Sequence, residues 1–188
     1  MGYCNVDALI NMCMLGYTQN GGEYCMSTEN EKRLLRCCFT GHRPGKLHVS
    51  ETQIKHALAA AIESAYADGY RTFITGMAQG VDIWAGELVL EFKSIHPDIH
   101  IICALPHPDF EKRWCKEWQQ RYNTILSQAD LTKTVCDAFS YGAYQKRNEW
   151  MVNHSARVIA VYNGEAGGTR NTIEYAKKQG VSLVKIDG

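Results

Sequence analysis

The chain has 188 residues, a formal net charge of zero and a hydrophobic share of 45%. This length suits one domain with a sizeable core. The balanced charge argues against a protein whose main task is to grip duplex nucleic acid, because such proteins carry a basic surplus. No apolar run is long enough to cross a bilayer, and we expect no membrane partner.

The eight cysteines form no C-x-x-C pair and show no zinc-finger spacing with histidines, so the sequence predicts no metal site. Cys37, Cys38 and Cys103 lie in apolar, strand-like runs, where a thiol acts as a small hydrophobe. The start of the chain lacks the basic region and the clean apolar core of a signal peptide. We therefore expect a cytoplasmic protein with reduced thiols.

Residues 1–32 lack sustained periodicity and are interpreted as a poorly ordered N-terminal extension, with a natural start at Met26 as the alternative, and the folded domain is predicted over residues 33–188. In this domain, strand-like runs alternate with helical patterns. The predicted strands are 34–39, 72–74, 100–105, 132–136, 157–162 and 181–186. The predicted helices are 50–69, a helix bearing Trp84, Leu88 and Phe92, a long helix from Asp109, 143–154, and 167–179. This alternation predicts an α/β fold with a mainly parallel sheet covered by helices on both faces.

The second predicted strand ends in a glycine turn, Gly76-Met-Ala-Gln-Gly80-Val-Asp82, and a helical pattern follows at once. Such a turn exposes backbone N–H groups at the positive end of a helix, where an anion is favoured. Gly76 and Gly80 let the backbone approach a ligand. Asp82 is placed to cap the helix or to accept hydrogen bonds from a ribose. The spacing is neither the dinucleotide fingerprint nor the P-loop, so the turn indicates a phosphorylated ligand without naming a reaction.

A second loop, Gly41-His-Arg-Pro44, follows the first strand. Arg43 is suited to hold a phosphate through its planar fork, and His42 to donate a hydrogen bond or to transfer a proton. The alternative is a polar loop that Pro44 merely shapes. The carboxyl ends of parallel strands share one edge of a sheet, which favours the functional interpretation.

A third turn, Gly167-Gly-Thr-Arg-Asn-Thr172, opens the last major helix and suits phosphate binding. Glu174 is a candidate general base or ribose ligand, although a first-turn glutamate stabilised by the helix dipole is more common. Arg147 and Asn148, on the preceding helix, are candidates to reach a phosphate or a base edge. Charged residues on helices are more often simply solvated.

The aromatic residues of the long predicted helix recur every four positions. They are Phe110, Trp114, Trp118 and Tyr122. Such a stripe can stack a nucleobase, but at helical spacing it more often packs into the core. We expect core packing.

Taken together, Phe39-Thr-Gly-His-Arg-Pro44, Thr75-Gly-Met-Ala-Gln-Gly-Val-Asp82, Arg147-Asn148 and Gly168-Thr169 resemble the YpsA-like family of the SLOG superfamily. The resemblance covers the chain from about Leu34 to its C-terminus. It implies a Rossmann-like fold, bacterial or prophage relatives, and a nucleotide-type ligand at the sheet edge, with no cofactor. The residues expected to bind this ligand are Gly41, His42, Arg43, Gly76, Met77, Gly80, Asp82, Arg147, Asn148, Gly167, Gly168, Thr169, Asn171 and Thr172.

Two related branches of the superfamily offer alternative functions. The DprA branch binds single-stranded DNA and has a similar glycine turn and a similar Arg-Asn helix. The LOG phosphoribohydrolases release a base from a nucleoside monophosphate, with an Arg-Lys helix and a catalytic glutamate three positions after the threonine of their turn. Here Asn148 replaces that lysine, and Glu174 lies five positions after Thr169. Each residue along a helix rotates the side-chain direction by about 100°, so a glutamate two positions further on points in a different direction from the catalytic glutamate of the LOG enzymes.

We therefore expect binding or sensing of a nucleotide or nucleotide-derived ligand rather than catalysis. The alternatives are N-glycosidic hydrolysis, with Glu174 or Asp82 as the catalytic candidates, and single-stranded DNA binding, which we expect to be weak at most. The oligomeric state stays open, with a homodimer as one candidate.

Overall fold

The computed structural model describes residues 15–17, 23–25 and 28–188, so most of the predicted extension lies outside the described residues. Strand β1 (Leu15–Tyr17) pairs antiparallel with β2 (Glu23–Cys25). Helix α1 (Glu29–Leu34) follows, and Thr28 and Glu31 form a capping box at its start. This short helix was not among the predicted elements, although Thr28-Glu-Asn-Glu31 carries the capping signature. The strand predicted from residue 34 accordingly begins two residues later.

The main sheet has six strands, which are β3 (Arg36–Gly41), β4 (Thr72–Thr75), β5 (His100–Leu105), β6 (Leu131–Thr134), β7 (Arg157–Tyr162) and β8 (Ser182–Asp187). They are ordered β6-β5-β4-β3-β7-β8, and every neighbouring pair is parallel. The predicted Rossmann-like α/β fold with a parallel sheet is confirmed.

The helices between these strands are α2 (Glu51–Ala67), α3 (Val81–Ile95), α4 (Lys116–Gln128), α5 (Ala143–Asn153) and α6 (Gly168–Lys178). The predicted capping box at α2 is confirmed: the hydroxyl of Ser50 accepts from the Gln53 N–H at 3.3 Å, and the Gln53 side chain accepts from the Ser50 N–H at 3.3 Å. Among the described residues, no helix combines the length and the apolar character that a membrane span requires.

Alternating strand residues divide the core into two layers. In β3, Cys37 and Phe39 face the layer formed by α2, α3 and α4, whereas Cys38 faces the layer formed by α5 and α6. This period of two, on a strand buried on both faces, is typical of a central parallel strand. Cys103 on β5 is also buried, and the three thiols act as core residues, as expected.

The long helix predicted from Asp109 is wrong at its start. Asp109 has a φ of 62°, the following residues form turns, and α4 begins only after Cys115. Phe110 and Trp114 nevertheless meet Tyr122 edge to face, with ring centroids 5.6 and 5.7 Å apart, so the turns bring these rings to the places that a helix would have given them. Phe110 and Tyr122 are buried and Trp114 packs against the same core, which supports the predicted packing role.

The order of the strands defines where a ligand site is expected. The chain runs outward from β3 through β4 and β5 to β6, and then returns to place β7 on the other side of β3. The connections after β3 and β7 therefore leave in opposite directions. Open α/β sheets bind ligands in the crevice outside the carboxyl ends of such neighbouring strands.

A cluster of charges at Asp130 joins α3 to the sheet. Lys93 of α3 lies 2.6 Å from the Asp130 carboxylate, the N–H of Ile101 donates to it at 2.7 Å, and His100 lies 3.5 Å away. Burial alone would raise the pKa of Asp130, but His100, Lys93 and the Ile101 N–H, which all lie close to the carboxylate, hold it well below the ordinary range.

We expect Asp130→Asn to lower the free energy of unfolding at pH 7 by about 1–3 kcal/mol, because a charge-assisted cluster loses its anion. A carboxyl whose pKa is lowered by folding gives its full stabilisation above its unfolded pKa of about 3.9, and this contribution declines below that value and is lost as the pH falls through the lower pKa of the folded state. Urea unfolding of both proteins at pH 7 and pH 3 should therefore show a difference that shrinks on acidification.

Asp98→Asn is the matched control, because Asp98 pairs with Arg71 at 2.8 Å but has a side chain that is 52% exposed. Its effect at pH 7 should be clearly smaller, since exposed ion pairs contribute little. Equal effects of the two substitutions, or a difference for Asp130→Asn that grows at low pH, would contradict the interpretation.

Candidate functional site

A cavity of about 270 Å³ lies at the carboxyl edge of the sheet, and we call it the edge cavity. The loops after β3, β4 and β7 and helix α5 contribute to its wall. The wall is formed by Thr40, Gly41, His42, Arg43, Lys46, Ala78, Asp82, Tyr144, Arg147, Asn148, Gly167, Gly168 and Thr169. The three turns that were predicted to share a cleft thus contribute residues to one cavity.

The predicted site residues divide into two groups. Those that line the edge cavity are Gly41, His42, Arg43, Asp82, Arg147, Asn148, Gly167, Gly168 and Thr169. Those that do not appear in its wall are Gly76, Met77, Gly80, Asn171 and Thr172. The second group includes both glycines of the turn after β4, to which the sequence analysis gave a direct role at the ligand.

The glycines after β4 are explained by packing between loops. A Cβ on Gly80, whose φ is +92°, would lie 2.7 Å from Cδ of Pro44. A Cβ on Gly76 would lie 2.6 Å from Oδ2 of Asp82 and would also clash with Arg147. Distances this short exclude any side chain unless these neighbours shift. The two glycines therefore let the turn after β4 pack against the loop after β3 and against α5. The close approach of the backbone at these glycines is to other parts of the protein rather than to a phosphate.

Hydrogen bonds inside the same turn fix its shape. Thr75, at the end of β4, donates its hydroxyl to the carbonyl of Asp82 at 2.7 Å and accepts from the N–H of Met77 at 3.2 Å. The carboxylate of Asp82 accepts from the N–H of Ala78 at 3.3 Å. Met77 has a φ of 60° and is fully buried. Of the roles that the sequence left open for Asp82, the geometry supports a role in holding the turn.

Asp82 and Arg147 form a buried ion pair beneath the edge cavity. Nη1 of Arg147 lies 3.6 Å from Oδ2 of Asp82 and also donates to the carbonyl of Gly76. Burial raises the pKa of Asp82, and the arginine and the Ala78 N–H oppose this rise. Nε of Arg147 is buried and has no partner. The charge of Arg147 is thus largely balanced by Asp82, which differs from the expected role as a free cation for phosphate.

His42 contributes a buried polar atom without a partner. Its side chain is only 4% exposed, stacks on Tyr162 with centroids 5.6 Å apart, and has an Nε2 that makes no hydrogen bond. Burial and the nearby Lys46 lower the pKa of His42, so its ring is neutral at pH 7. Unsatisfied buried polar atoms are rare in folded proteins, so a nitrogen without a partner on a residue that lines the cavity is a candidate contact for a ligand.

The start of α6 offers backbone donors to the same cavity. Its N-cap, Gly167, has a φ of 152° and provides no side-chain cap. A Cβ on Gly167 would meet no atom within 4 Å, and one on Gly168 would meet only the Asn148 amide, at 4.0 Å. The first turn of α6 therefore opens onto free space, with the positive end of its dipole directed there. Thr172, whose hydroxyl donates to the Gly168 carbonyl at 2.8 Å, is occupied within the helix.

The two acidic candidates differ in position. Glu174 is exposed, pairs with Arg170 at 3.0 Å, and does not line the edge cavity. Asp82 lines the cavity, but its carboxylate is already bound by Arg147 and Ala78. Neither residue therefore presents a free carboxylate to a ligand in this cavity.

Some wall residues were missed by the sequence analysis. They are Thr40, Lys46, Ala78 and Tyr144. Tyr144 lies three and four positions before Arg147 and Asn148 on α5, so helical spacing alone places it on the same face. Lys46 carried no comparable signal, because a short 3-10 turn over Pro44–Lys46 brings it back to the rim.

This parallel sheet, with a cavity outside the ends of β3 and β7, defines a protein of the Rossmann-like α/β class. A family model for YpsA, described as the YspA SLOG family, matches residues 37–184. The chain belongs to this family.

The relatives include a prophage-derived protein and a UPF0398 protein, both from Bacillus species. The SPbeta prophage-derived protein YoqJ of Bacillus subtilis is 37% identical over 140 residues, which are 67% of this chain and 81% of the relative. A UPF0398 protein of Bacillus cereus is 30% identical over 152 residues, which are 75% of this chain and 82% of the relative.

Solved structures of the DNA processing protein DprA share the fold. The Streptococcus pneumoniae protein has a TM-score of 0.60 and 16% identity, and the match covers 82% of this chain but only 51% of that protein. The Helicobacter pylori protein, whose single-stranded DNA binding mode that structure addresses, has a TM-score of 0.61 and 17% identity, with 87% and 69% covered. At this identity the likeness establishes the fold alone.

The buried pair leads to a prediction about stability. We expect Arg147→Ala to lower the free energy of unfolding by about 3–5 kcal/mol, because Asp82 stays buried without its partner. Replacing both members, as in Asp82→Asn with Arg147→Met, should recover part of this loss, since no charge is then left unpaired. Chemical denaturation of the purified variants measures both effects.

Lys146→Ala is the control, because Lys146 is an exposed neighbour on the same helix. It should change stability by less than about 0.5 kcal/mol. If Arg147→Ala unfolds at the same denaturant concentration as the wild type, the pair does not hold the sheet edge together.

Proposed function

We propose that this protein binds or senses a nucleotide or nucleotide-derived small molecule, whose phosphate lies in the edge cavity. The observation that carries the proposal is the presence, in one cavity, of an uncapped helix N-terminus and of a buried histidine nitrogen without a partner. The N-terminus of α6 favours an anion. His42 supplies a hydrogen bond to the same ligand.

The charges around the cavity support a phosphate. Arg43 and Lys46 line the rim and are exposed, whereas the charges of Asp82 and Arg147 balance each other in the floor. Glu165 lies 4.0 Å from Lys46, but both side chains are more than half exposed, so the pairing is weak. The net field at the cavity therefore comes from Arg43, Lys46 and the dipole of α6.

Binding without catalysis is favoured by the state of the carboxylates. Hydrolysis of an N-glycosidic bond needs a carboxylate that can activate or orient water. Glu174 points to Arg170 on the surface, and Asp82 is held by Arg147. We therefore rank the hydrolase function below binding or sensing.

The cysteines support a cytoplasmic location for this function. Cys37, Cys38 and Cys103 are free and buried, and burial raises the pKa of Cys38 and of Cys103 to about 12. Neutral core thiols of this kind are typical of proteins that fold in a reducing compartment.

The binding proposal is tested with adenosine monophosphate and ribose 5-phosphate by titration calorimetry. Arg43→Ala should weaken both ligands about tenfold, because one charge-assisted hydrogen bond contributes about 1.5 kcal/mol. Gly168→Val should abolish measurable binding, because the new side chain fills the space in front of the helix where the phosphate is proposed to lie. The protein should stay folded, since a Cβ at this position meets only the Asn148 amide, at 4.0 Å.

Lys178→Ala is the control, because Lys178 carries the same positive charge as Arg43 but lies at the exposed C-terminal end of α6. It should leave both affinities unchanged. The proposal would be overturned if the wild type bound neither adenosine monophosphate nor ribose 5-phosphate, or if Gly168→Val bound them as tightly as the wild type does.

A second candidate function, single-stranded DNA binding, is favoured by one surface feature. Phe139 and Tyr141, between β6 and α5, are 62% and 98% exposed, and exposed aromatic rings can stack bases. The Helicobacter pylori neighbour is described as a single-stranded DNA binder. By contrast, Trp114 and Trp118 pack against the core, and Trp118 also contacts Arg121 at 4.6 Å.

We expect single-stranded DNA to bind weakly, with a dissociation constant above about 1 µM at near-physiological salt, because the chain has no net positive charge to attract a polyanion. A filter-binding titration with a mixed-sequence oligonucleotide measures this. Tighter binding that disappears in the folded Tyr141→Ala variant would place the DNA function first.

A further inference from the structure

A second cavity, of about 430 Å³, lies after β5 on the same edge of the sheet, and we call it the aromatic cavity. The segment from His107 to Arg113 forms one side, and Phe139 and Tyr144 form the other. Tyr144 also lines the edge cavity, so the two cavities share a wall. The edge cavity alone falls below the range of about 300–1,000 Å³ that whole ligands occupy, whereas the two together lie within it.

His107 lines the aromatic cavity and carries a ring nitrogen without a hydrogen-bond partner. Its ring is 7% exposed, and Nδ1 lies 2.7 Å from the carbonyl oxygen of Pro108. Because a carbonyl can only accept, Nδ1 carries the hydrogen, and in this tautomer Nε2 keeps its lone pair. This Nε2 is buried and has no partner. This nitrogen indicates a ligand independently of the unpartnered nitrogen of His42, because His42 lines the edge cavity and His107 lines the aromatic cavity.

The walls of the aromatic cavity suit a flat ring. Phe139 and Tyr144 both stand edge-on to the ring of His107, with centroids 5.3 and 5.9 Å away. Phe139 is largely exposed and therefore has little packing role of its own. Arg113 adds positive charge at the margin, whereas Lys112 is paired at 2.8 Å with Asp109, which also lines the cavity. An aromatic base with an N–H donor at its edge satisfies both the rings and the free nitrogen.

We infer that the aromatic cavity binds the base of a nucleotide whose phosphate occupies the edge cavity, with an N–H at the edge of the base, such as the exocyclic amino group of adenine, donating to Nε2 of His107. The ligand then lies across Tyr144, the residue that both cavities share. This inference rests on the proposed function, and it assigns the class of ligand as a nucleotide whose base carries an N–H donor, with adenosine monophosphate as the probe.

The test compares adenosine monophosphate with ribose 5-phosphate and with the purine nucleotide that lacks the 6-amino group. The wild type should bind adenosine monophosphate at least tenfold more tightly than either of the other two. Phe139→Ala and His107→Phe should each reduce the affinity for adenosine monophosphate about tenfold and leave that for ribose 5-phosphate unchanged. Arg43→Ala should weaken both.

Ile95→Ala is the control for loss of an exposed hydrophobic side chain, because Ile95 is 69% exposed at the far end of α3. It should change no affinity. Because Phe139 is itself mostly exposed, Phe139→Ala keeps the test valid even if His107→Phe does not fold.

The outcomes separate this inference from the proposed function. If ribose 5-phosphate binds as tightly as adenosine monophosphate and Phe139→Ala changes neither, the base site is wrong while the phosphate site stands. If no phosphate ligand binds, the proposed function itself fails. If only a single-stranded oligonucleotide binds, and Phe139→Ala weakens it, the aromatic cavity serves nucleic acid instead and the inference is overturned.

Discussion

The buried pair of Asp82 and Arg147 is the interaction on which the candidate site depends. It connects the turn after β4 to helix α5, and Arg147 also donates to the carbonyl of Gly76 at the end of the sheet. These elements come from distant parts of the chain and cover different faces of the sheet. Since a buried charge without its partner is strongly destabilising, the pair holds both elements in one arrangement.

Close packing of loops complements this pair. A Cβ on Gly41 would clash with Val81, and one on Gly80 would press on Pro44, so the loop after β3 and the start of α3 meet at backbone distance. The resulting surface is closely packed near the sheet. In contrast, Gly167 and Gly168 at the start of α6 meet almost nothing, which leaves space in front of the helix. Glycine thus permits close contact between loops in one region and leaves open space at the start of α6.

Electrostatics at this edge arise from local geometry rather than from overall charge. The chain has a formal net charge of zero, and the buried pair is internally balanced. What attracts an anion is the uncapped end of α6 together with two rim cations, Arg43 and Lys46. Such a field acts over a short range, because salt screens exposed charges within about 8–10 Å. It suits a small phosphate ligand better than an extended polyanion.

The sequence by itself determined the α/β fold and the edge of the sheet where the polar turns meet. The alternation of apolar runs with helical patterns can be read from the sequence because the period of a strand or a helix depends only on neighbours along the chain. Ser50 and Gln53 predicted a helix start because a capping box joins residues only three positions apart. It also pointed to His42, Asn148 and Thr169, because residues that follow parallel strands or lie on one helix face share a neighbourhood in any such fold.

Only the tertiary structure decided what these residues touch. Arg147 was expected to be a free cation, but its partner, Asp82, lies on another helix, and no local pattern connects the two. Phe110 and Trp114 followed helical spacing yet lie in turns, because contacts with Tyr122, not hydrogen bonds along the chain, select their positions. The free nitrogen of His107 had no sequence signal at all. Burial and long-range contacts depend on the packed assembly, whereas the period of a strand or a helix is local.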